Sequence, residues 1–304
     1  MIHAPATTAL PHGALRLSDW GVIRASGSDA AKFLHGQLTQ DVEHLPEGQA
    51  RPAGYCSAKG RLMATFVAWR AGADILLACS ADLLPPVLKR LSMFVLRAQC
   101  KLVDASAELP LWGIAGCAAG PDWTVTGAPG AQQIQLPPAV IDGQAVARRL
   151  QVGGSAPDTP ALDEAAWRWL EVHSGVARIV AATVEQFVPQ MINLELVGGV
   201  SFSKGCYPGQ EVVARSQYRG TLKRRAQVVL SAVALAPASE IFHSADPGQP
   251  AGMVVLGGSW AGGHAALVEV KLAALQGGTL HAGTADGPAL TPTTLPYAIP
   301  AEAA

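Results

Sequence analysis

The change of pattern near Lys223 limits the possible folds of this 304-residue chain more than any other feature. Before Lys223, short apolar runs typical of strands alternate with segments typical of helices. After it, helical signals become scarce, and short β-like runs follow one another between Gly and Pro clusters. This order predicts an α+β architecture. Two mixed α+β domains, residues 1–110 and 111–222, can interleave in sequence, and a small C-terminal β-barrel follows at residues 223–304.

Individual helices and strands can be placed within this frame. A helix is predicted over Asp29–Leu38 with Ser28 as its N-cap, and further helices over Leu83–Phe94 and Asp163–Ser174. The strand candidates share short runs of β-branched and apolar residues bounded by turn residues. They are Gly21–Ala25, Leu62–Trp69, Asp74–Ala78, Cys100–Val103, Gln227–Val233, Gly252–Leu256 and Ala265–Val270.

Composition argues against several classes of protein. Hydrophobic residues make up 49% of the chain, which is enough for a substantial core, and the net charge is -1. That charge argues against a dedicated nucleic-acid surface or a polybasic membrane patch. No segment has the length and apolarity of a membrane span, and residues 1–18 lack the regions of a signal peptide. We therefore expect a cytoplasmic protein with no direct nucleic-acid or membrane partner.

The cysteine and histidine spacings offer no familiar metal motif. The five cysteines, at positions 56, 79, 100, 117 and 206, contain no C-x-x-C pair, and the eight histidines contain no H-x-x-x-H pair. The sequence thus predicts no metal bound by this chain alone. It also predicts no disulfide framework, because a chain of this size in a reducing compartment rarely has one.

The octapeptide Lys204–Glu211 carries the strongest chemical signal. It places the thiol of Cys206 two residues from the ammonium group of Lys204, which favours the reactive thiolate. Gly205 is expected to take a positive φ at a crowded point. Pro208 and Gly209 suit a type II turn, and a helix is expected to start directly after them. The alternative is that Cys206 is a small buried hydrophobic residue beside an ordinary turn.

Ordered motifs along nearly the whole chain resemble the YgfZ-type folate-binding proteins. These are relatives of the glycine-cleavage aminomethyltransferase and of a mitochondrial iron–sulfur assembly factor. The motifs are Phe33–Val42, Tyr55–Leu62, Phe187–Gln190 with Asn193 and Leu194, Gly198–Phe202 leading into Lys204–Arg215, Tyr218–Gly220 and Leu295–Tyr297. The resemblance implies three domains in a ring around a central folate pocket, and tetrahydrofolate or another folate derivative as cofactor.

The resemblance also implies that tryptophans at positions 20 and 167 line the folate pocket. The alternative for Trp20 and Trp167 is a role as core anchors, which most tryptophans have. The other candidate folate-binding residues are polar or aromatic and lie in or near the motifs: Gln37, Asp41, Lys59, Arg61, Gln190, Asn193 and Tyr207. The alternative for Gln37 and Asp41 is a solvated loop, and for Lys59 and Arg61 a charged hairpin turn. Gln190 and Asn193 could instead satisfy loop backbone groups, and Tyr207 could pack beneath the turn.

The strand after Gly60 departs from the aminomethyltransferase pattern. Ala64 and Thr65 stand where that enzyme carries two aspartates, and neither can act as a general base. The resemblance then implies a folate-dependent accessory factor for iron–sulfur cluster assembly or repair. Its clients would include radical enzymes that thiolate tRNA, its contacts with iron–sulfur proteins or assembly factors would be transient, and Cys206 would be the working residue, tuned by Lys204.

Two other functions stay open from the sequence. One is a folate-dependent one-carbon transferase with an unknown acceptor, in which Cys206 is a nucleophile or acceptor. The other is a thiol-redox module, which the absence of a resolving cysteine near Cys206 disfavours.

Overall fold

The computed structural model describes residues 9–218 and 222–300. The strands in chain order are β1 Gly13–Arg16, β2 Trp20–Ser26, β3 Ala50–Cys56, β4 Leu62–Ala71, β5 Asp74–Ser80, β6 Lys101–Asp104, β7 Leu111–Ala115, β8 Val125–Thr126, β9 Ala131–Ile141, β10 Gln144–Gly153, β11 Arg224–Ser231, β12 Glu240–His243, β13 Gly252–Trp260, β14 Gly263–Lys271, β15 Leu280–Ala282 and β16 Ala289–Pro292. The α-helices are α1 Ala30–His35, α2 Leu84–Met93, α3 Glu164–His173 and α4 Gln210–Tyr218. Three short 3₁₀ turns lie at Ala181–Thr183, Pro189–Ile192 and Leu272–Leu275.

The first sheet has the strand order β3-β4-β5-β2-β6 with every pair antiparallel. Its strand β4 is buried on both faces. Successive side chains of a strand point to opposite sides of the sheet, so one strand can contribute to two cores. Phe66 and Ala68 pack into one hydrophobic core, while Val67 and Trp69 pack into another. This explains why β4 reads as a continuous apolar run in the sequence.

The second sheet has the order β1-β7-β10-β9-β8, so the first strand of the chain pairs with β7, beyond all the strands of the first sheet in sequence. Trp69 ties the two sheets together, since its indole N–H donates to Gln132 Oε1 at 2.9 Å. Helix α3 is capped by Asp163, whose carboxylate accepts from the backbone N–H of Ala165. The helix contacts β9 on one side and the barrel strand β13 on the other.

The C-terminal strands close a barrel in the order β11-β14-β13-β12-β15-β16. The predicted α+β class with a C-terminal β-barrel is therefore confirmed. None of the described helices has both the length and the apolarity needed to cross a membrane. Arg219 and Gly220, which belong to one of the sequence motifs, lie outside the described residues.

The start and end of the first helix differ from the sequence prediction. Its N-cap is Asp29 rather than Ser28, and the Asp29 carboxylate accepts from the backbone N–H of Gln99 instead of capping the helix. The helix ends at His35 rather than Leu38, because Leu38 forms a β-bridge with Tyr55.

Candidate functional site

The loop that carries Cys206 is held against the hairpin turn between β3 and β4. Gly209 has a φ of 77°, and a Cβ there would lie 2.4 Å from the carbonyl oxygen of Ser57. Gly60, in the hairpin turn, has a φ of 71°, and its Cβ would lie 2.7 Å from Cβ of Val212. Both positions therefore need glycine, for the close approach and for the left-handed backbone.

Gly205 does not behave as the sequence predicted. Its φ is not positive, and a Cβ at this position would meet only Nε2 of His35, at 3.8 Å. That distance is ordinary van der Waals contact. The expectation of a crowded, left-handed Gly205 is therefore wrong, and the strained glycine of the motif is Gly209.

Lys204 fastens the loop to the segment after α1. Its Nζ donates to the carbonyl oxygens of His35 at 2.6 Å and Leu38 at 3.0 Å, and lies 4.7 Å from the ring centre of Tyr207. Burial lowers the pKa of the Lys204 ammonium to about 8, although the negative charges of Asp41 and Cys206 oppose that change. The ammonium is thus a structural donor to two carbonyls, and its tuning of the thiol stays a prediction.

Cys206 is exposed, in contrast to the other four cysteines, all of which the structure describes. Cys56 and Cys79 are buried, and burial raises the pKa of each thiol to about 12. Desolvation also raises the pKa of Cys100. Cys206 is therefore the cysteine best placed to react with a partner or a small molecule, because thiolate character and access govern reactivity.

A second candidate region is a cavity between the first sheet, the second sheet and helix α3. Trp20 and Trp167, the two tryptophans predicted from the sequence, both line it. Their indole nitrogens are buried without a hydrogen-bond partner among the described residues. The other lining residues are Pro52, Thr65, Phe66, Val67, Trp123, Leu136, Arg148, Glu171, Val176, Ala177, Arg178 and Leu194.

Arg178 is the hub of a charged network at one end of this cavity. Its Nε donates to Glu171 Oε1 at 3.1 Å, and its Nη2 donates to Asp19 Oδ2 at 2.8 Å. The guanidinium lies 4.9 Å from the ring centre of Trp20. Burial lowers the pKa of Arg178, but the carboxylates of Glu171 and Asp19 outweigh burial and hold it above its ordinary value. This cation is therefore fully compensated by protein groups.

Arg148 is the opposite case. Its side chain is 3% exposed, and its Nε and Nη2 both donate to the carbonyl oxygen of Pro137, at 3.1 and 3.0 Å. No carboxylate pairs with it within the described part of the chain. Its guanidinium lies 5.7 Å from the ring centre of Trp167. Burial lowers the pKa of Arg148 to about 10, with Glu171 and Asp122 opposing the change only partly.

A wider cleft adjoins the cavity. The cavity has a volume of about 40 Å³, whereas the cleft has about 430 Å³, and Glu171 and Arg178 line both. Asp19, Arg168 and Asp82 also line the cleft, so five of its eleven lining residues are charged. The pair Glu171–Arg178 therefore stands at the boundary between an aromatic space and a polar one.

The remaining sequence-predicted residues do not line the cavity. Buried Asn193 joins the 3₁₀ turn to the barrel, since its Nδ2 donates to Ala226 O at 2.9 Å and its backbone φ is 57°. Gln190 is also buried, and its Nε2 donates to Val213 O at 2.8 Å. Lys59 is exposed in the hairpin turn, and Arg61 donates to backbone carbonyls of Glu185 and Gln186.

Three more of the predicted residues lie around the Cys206 loop. Tyr207 is buried beneath the ammonium of Lys204, and burial raises the pKa of its phenol. Asp41 accepts hydrogen bonds from His35 and His44. Gln37 Oε1 is buried without a partner among the described residues. The structure thus separates the predicted site into an aromatic cavity and a thiol loop, and folate contacts by this second group stay predictions.

Sequence reasoning missed Arg148, Glu171 and Arg178. Sequence signals could have found two of them, Glu171 and Arg148. Glu171 stands four residues after Trp167 on the same helix, which places the two on one face. Arg148 stands two residues from each of the buried residues Val146 and Leu150, so the three share the inward face of a strand.

Comparison with known proteins gives consistent relatives. No family model matches the chain. It is 34% identical over 246 residues to the tRNA-modifying protein YgfZ of Edwardsiella ictaluri, covering 72% of this chain and 71% of that protein. It is 31% identical over 243 residues to the protein of the same name from Hamiltonella defensa, covering 71% and 69%. The crystal structure of glycine cleavage system aminomethyltransferase T from Bartonella henselae has the same fold: the TM-score is 0.73 at 15% identity, covering 95% of this chain and 87% of that one.

Proposed function

The chain belongs to the family of the tRNA-modifying protein YgfZ, and from that premise we propose that it is a folate-binding accessory protein for iron–sulfur enzymes, including enzymes that modify tRNA. One observation carries the folate part of the proposal. Arg148 is a buried cation without a carboxylate partner within the described residues, inside a cavity lined by two tryptophans whose N–H groups are also unpartnered. Buried charges and donors are normally paired, so this cavity fits an anionic ligand with acceptor atoms.

Reduced folate has the matching chemistry. Its pterin and aryl rings suit the faces of Trp20 and Trp167, its ring nitrogens and carbonyl groups suit unpartnered N–H donors, and its glutamate carboxylates suit a guanidinium. The cavity of about 40 Å³ is too small for such a ligand by itself, while the adjoining cleft of about 430 Å³ is large enough. We expect folate to use both spaces, with side-chain movement at their shared boundary. When bound, the folate would supply one-carbon or redox chemistry, while Arg148 and the tryptophans hold it.

Calorimetry with folinic acid tests this assignment. We expect Trp20→Ala to weaken binding about tenfold, because the loss of one aromatic face costs on the order of 1 kcal/mol or more. Trp112→Ala is the matched control, since Trp112 is a partly buried tryptophan on β7 that does not line the cavity. Equal affinity of the wild type and Trp20→Ala would remove the cavity from the proposal.

The thiol part of the proposal rests on Cys206. It is the exposed cysteine, on a loop fixed by Lys204 and by the close contact of Gly209 with the hairpin turn. A single cysteine cannot hold an iron–sulfur cluster alone, so contact with a cluster as substrate would be shared with a client protein or a small thiol. The supported role is therefore a transient one.

Complementation tests the role of Cys206. In a strain that lacks this protein, we expect the wild type and Cys117→Ser to restore the activity of a tRNA-thiolating iron–sulfur enzyme, and Cys206→Ser to fail. Cys117 is the matched control because it is a partly exposed cysteine elsewhere on the chain. Full activity of Cys206→Ser, at equal protein level, would exclude the thiol as the working group.

One-carbon transfer to another acceptor is the alternative. Thr65 lines the cavity, and its hydroxyl already accepts from the backbone N–H of Ile179 at 3.0 Å. Ala64 is fully buried. The two positions where the aminomethyltransferase pattern has aspartates thus offer no base, which favours the accessory role. Multiple turnover of methylene-tetrahydrofolate by the purified protein would reverse this preference.

A further inference from the structure

Three side chains converge next to the Cys206 loop, and none of them lines the aromatic cavity. His35 Nδ1 lies 3.0 Å from Asp41 Oδ1, and His44 Nδ1 lies 3.1 Å from Asp41 Oδ2. One ligand atom from each residue can be chosen so that all three lie within 4.8 Å of one another. We propose that His35, Asp41 and His44 form a binding site for a divalent transition-metal ion. This inference does not depend on folate binding.

The spacing of the donor atoms suits a small coordination sphere. Zinc binds imidazole nitrogen and carboxylate oxygen at about 2.0–2.2 Å in tetrahedral sites, so neighbouring donors stand roughly 3.3–3.5 Å apart. Measured to one oxygen, Asp41 Oδ1, the nitrogen–oxygen distances here are 3.0 Å for His35 and 3.2 Å for His44. All three ligand atoms lie within 4.8 Å of one another, so side-chain rotation alone would bring them around an ion.

The donor set decides the class of metal. Two imidazoles and one carboxylate suit Zn²⁺, Co²⁺ or Fe²⁺, whereas Mg²⁺ and Ca²⁺ prefer sites made of oxygen alone. Three protein ligands leave a coordination position for water or a substrate. The His44 side chain is 74% exposed, which provides an entry path, while His35 is 15% exposed and anchors the site.

The local backbone holds these groups in place. Asp41 Oδ1 accepts from the backbone N–H of His44 at 3.0 Å, and Arg51 Nη1 donates to the backbone carbonyl of Asp41 at 2.7 Å. The sequence prediction of no metal relied on short repeated spacings, whereas these ligands are six and three residues apart along a turn. A spacing search of the sequence therefore misses them.

His35 connects the proposed metal to the thiol loop. Its carbonyl accepts from Lys204, and its Nε2 faces Gly205, which precedes Cys206. In the neutral tautomer whose Nδ1–H donates to Asp41, Nε2 is an acceptor. A metal on Nδ1 requires the proton on Nε2, so binding would turn the atom that faces the loop from an acceptor into a donor.

Titration of the metal-free, full-length protein with Co²⁺ tests the site. We expect one ion per chain with the visible absorption of a low-coordinate nitrogen and oxygen site. His44→Ala and Asp41→Asn should weaken binding at least about tenfold, because even the loss of an outer-shell partner can cost that much. His44 is exposed, so its variant should fold normally, and His12→Ala, a change of another exposed histidine, should bind like the wild type.

The contrary results are equally clear. If the wild type binds no Co²⁺, or if His44→Ala binds it as tightly as the wild type, the histidines are only hydrogen-bond partners of Asp41. Strong thiolate-to-metal absorption that survives in His44→Ala would assign the ion to a cysteine and overturn the proposal as well.

Discussion

Replacement of Arg148 by methionine should stabilise the protein and weaken its binding of folate. Burial lowers the pKa of Arg148 from 12.5 to about 10. Because the pKa of Arg148 is lower in the folded than in the unfolded state, the buried charge destabilises the fold. This destabilisation is complete at any pH at which both the folded and the unfolded state carry the proton. At 1.36 kcal/mol for each pKa unit, that cost is about 3 kcal/mol at neutral pH. The two hydrogen bonds to Pro137 return roughly 1–2 kcal/mol, so Arg148→Met should gain about 1 kcal/mol.

The effect on the ligand has the opposite sign. A carboxylate that pairs with Arg148 would make hydrogen bonds to a charged group, worth about 1.5–3 kcal/mol, so the variant should bind folinic acid roughly 10–100-fold more weakly. This is the expected compromise between stability and function at a site built for a charged ligand.

Urea unfolding and calorimetry measure both quantities. Arg149→Met is the matched control, because Arg149 is the next residue on β10, is partly exposed and donates to Gln133 Oε1 at 2.9 Å. It should show neither effect. The stability gain of Arg148→Met should also shrink above about pH 10, where the folded wild type loses the proton. Destabilisation by more than about 1 kcal/mol, or unchanged folate affinity, would refute the reasoning that Arg148 is an uncompensated cation kept for a ligand.

Three further predictions concern single positions. Iodoacetamide should modify Cys206 well before Cys56, because Cys206 is exposed and burial raises the pKa of Cys56 to about 12. Mass spectrometry of the peptides measures both rates, and equal rates would contradict this prediction. Gly60→Ala should lower the free energy of unfolding by about 1–2 kcal/mol, because its φ is 71°, whereas Gly205→Ala should be nearly neutral; equal urea midpoints for the two variants would contradict the loop geometry. Burial raises the pKa of Glu269 from 4.5 to about 7, so the folded carboxyl holds its proton more tightly, and stability from this group is present below about pH 4.5 and lost as pH rises to about 7. Glu269→Gln should lack that slope, and an identical pH profile would contradict it.

The overall architecture could be predicted because local pattern and tertiary structure agree in most elements. Helices α2 and α3 begin and end within one residue of the predicted limits. The start of β11 was missed because it carries two arginines. Arg224 lies 2.9 Å from Glu269 and Arg225 pairs with Glu195, so each arginine has its carboxyl partner far away in the sequence. No pattern within one strand reveals such a partner.

Strands β9 and β10 were not predicted for a related reason. Gln132, Gln135 and Arg148 are buried polar residues in these strands, and they interrupt the apolar alternation. Gln132 pairs with Trp69 of the first sheet, and Gln135 Nε2 donates to the carbonyl of Arg148 at 3.1 Å. The apolar count therefore underestimates how deeply these strands are buried.

The candidate site could be predicted only where a motif or a family resemblance marked it. The resemblance selected Trp20 and Trp167, which lie 147 positions apart in the sequence numbering and line one cavity. The charged residues of that cavity come from β10, α3 and the segment after it, and their roles depend on partners that no motif names. Arg178 and Arg148 look alike in the sequence, yet one is paired with carboxylates and the other is not.

The positions of the cavity and the thiol loop also bear on the choice between accessory protein and transferase. Strand β4 and the turn before it connect them: Gly60 of the turn contacts the loop at Gly209, and Thr65 of the strand lines the cavity. The extended residues from Leu62 to Thr65 alone span about 10 Å. Transfer of a carbon unit needs reacting atoms about 3–3.5 Å apart. A folate ring held between Trp20 and Trp167 is therefore badly placed to pass a carbon to Cys206, whereas a thiol presented at the surface can meet a separate client while the folate stays bound.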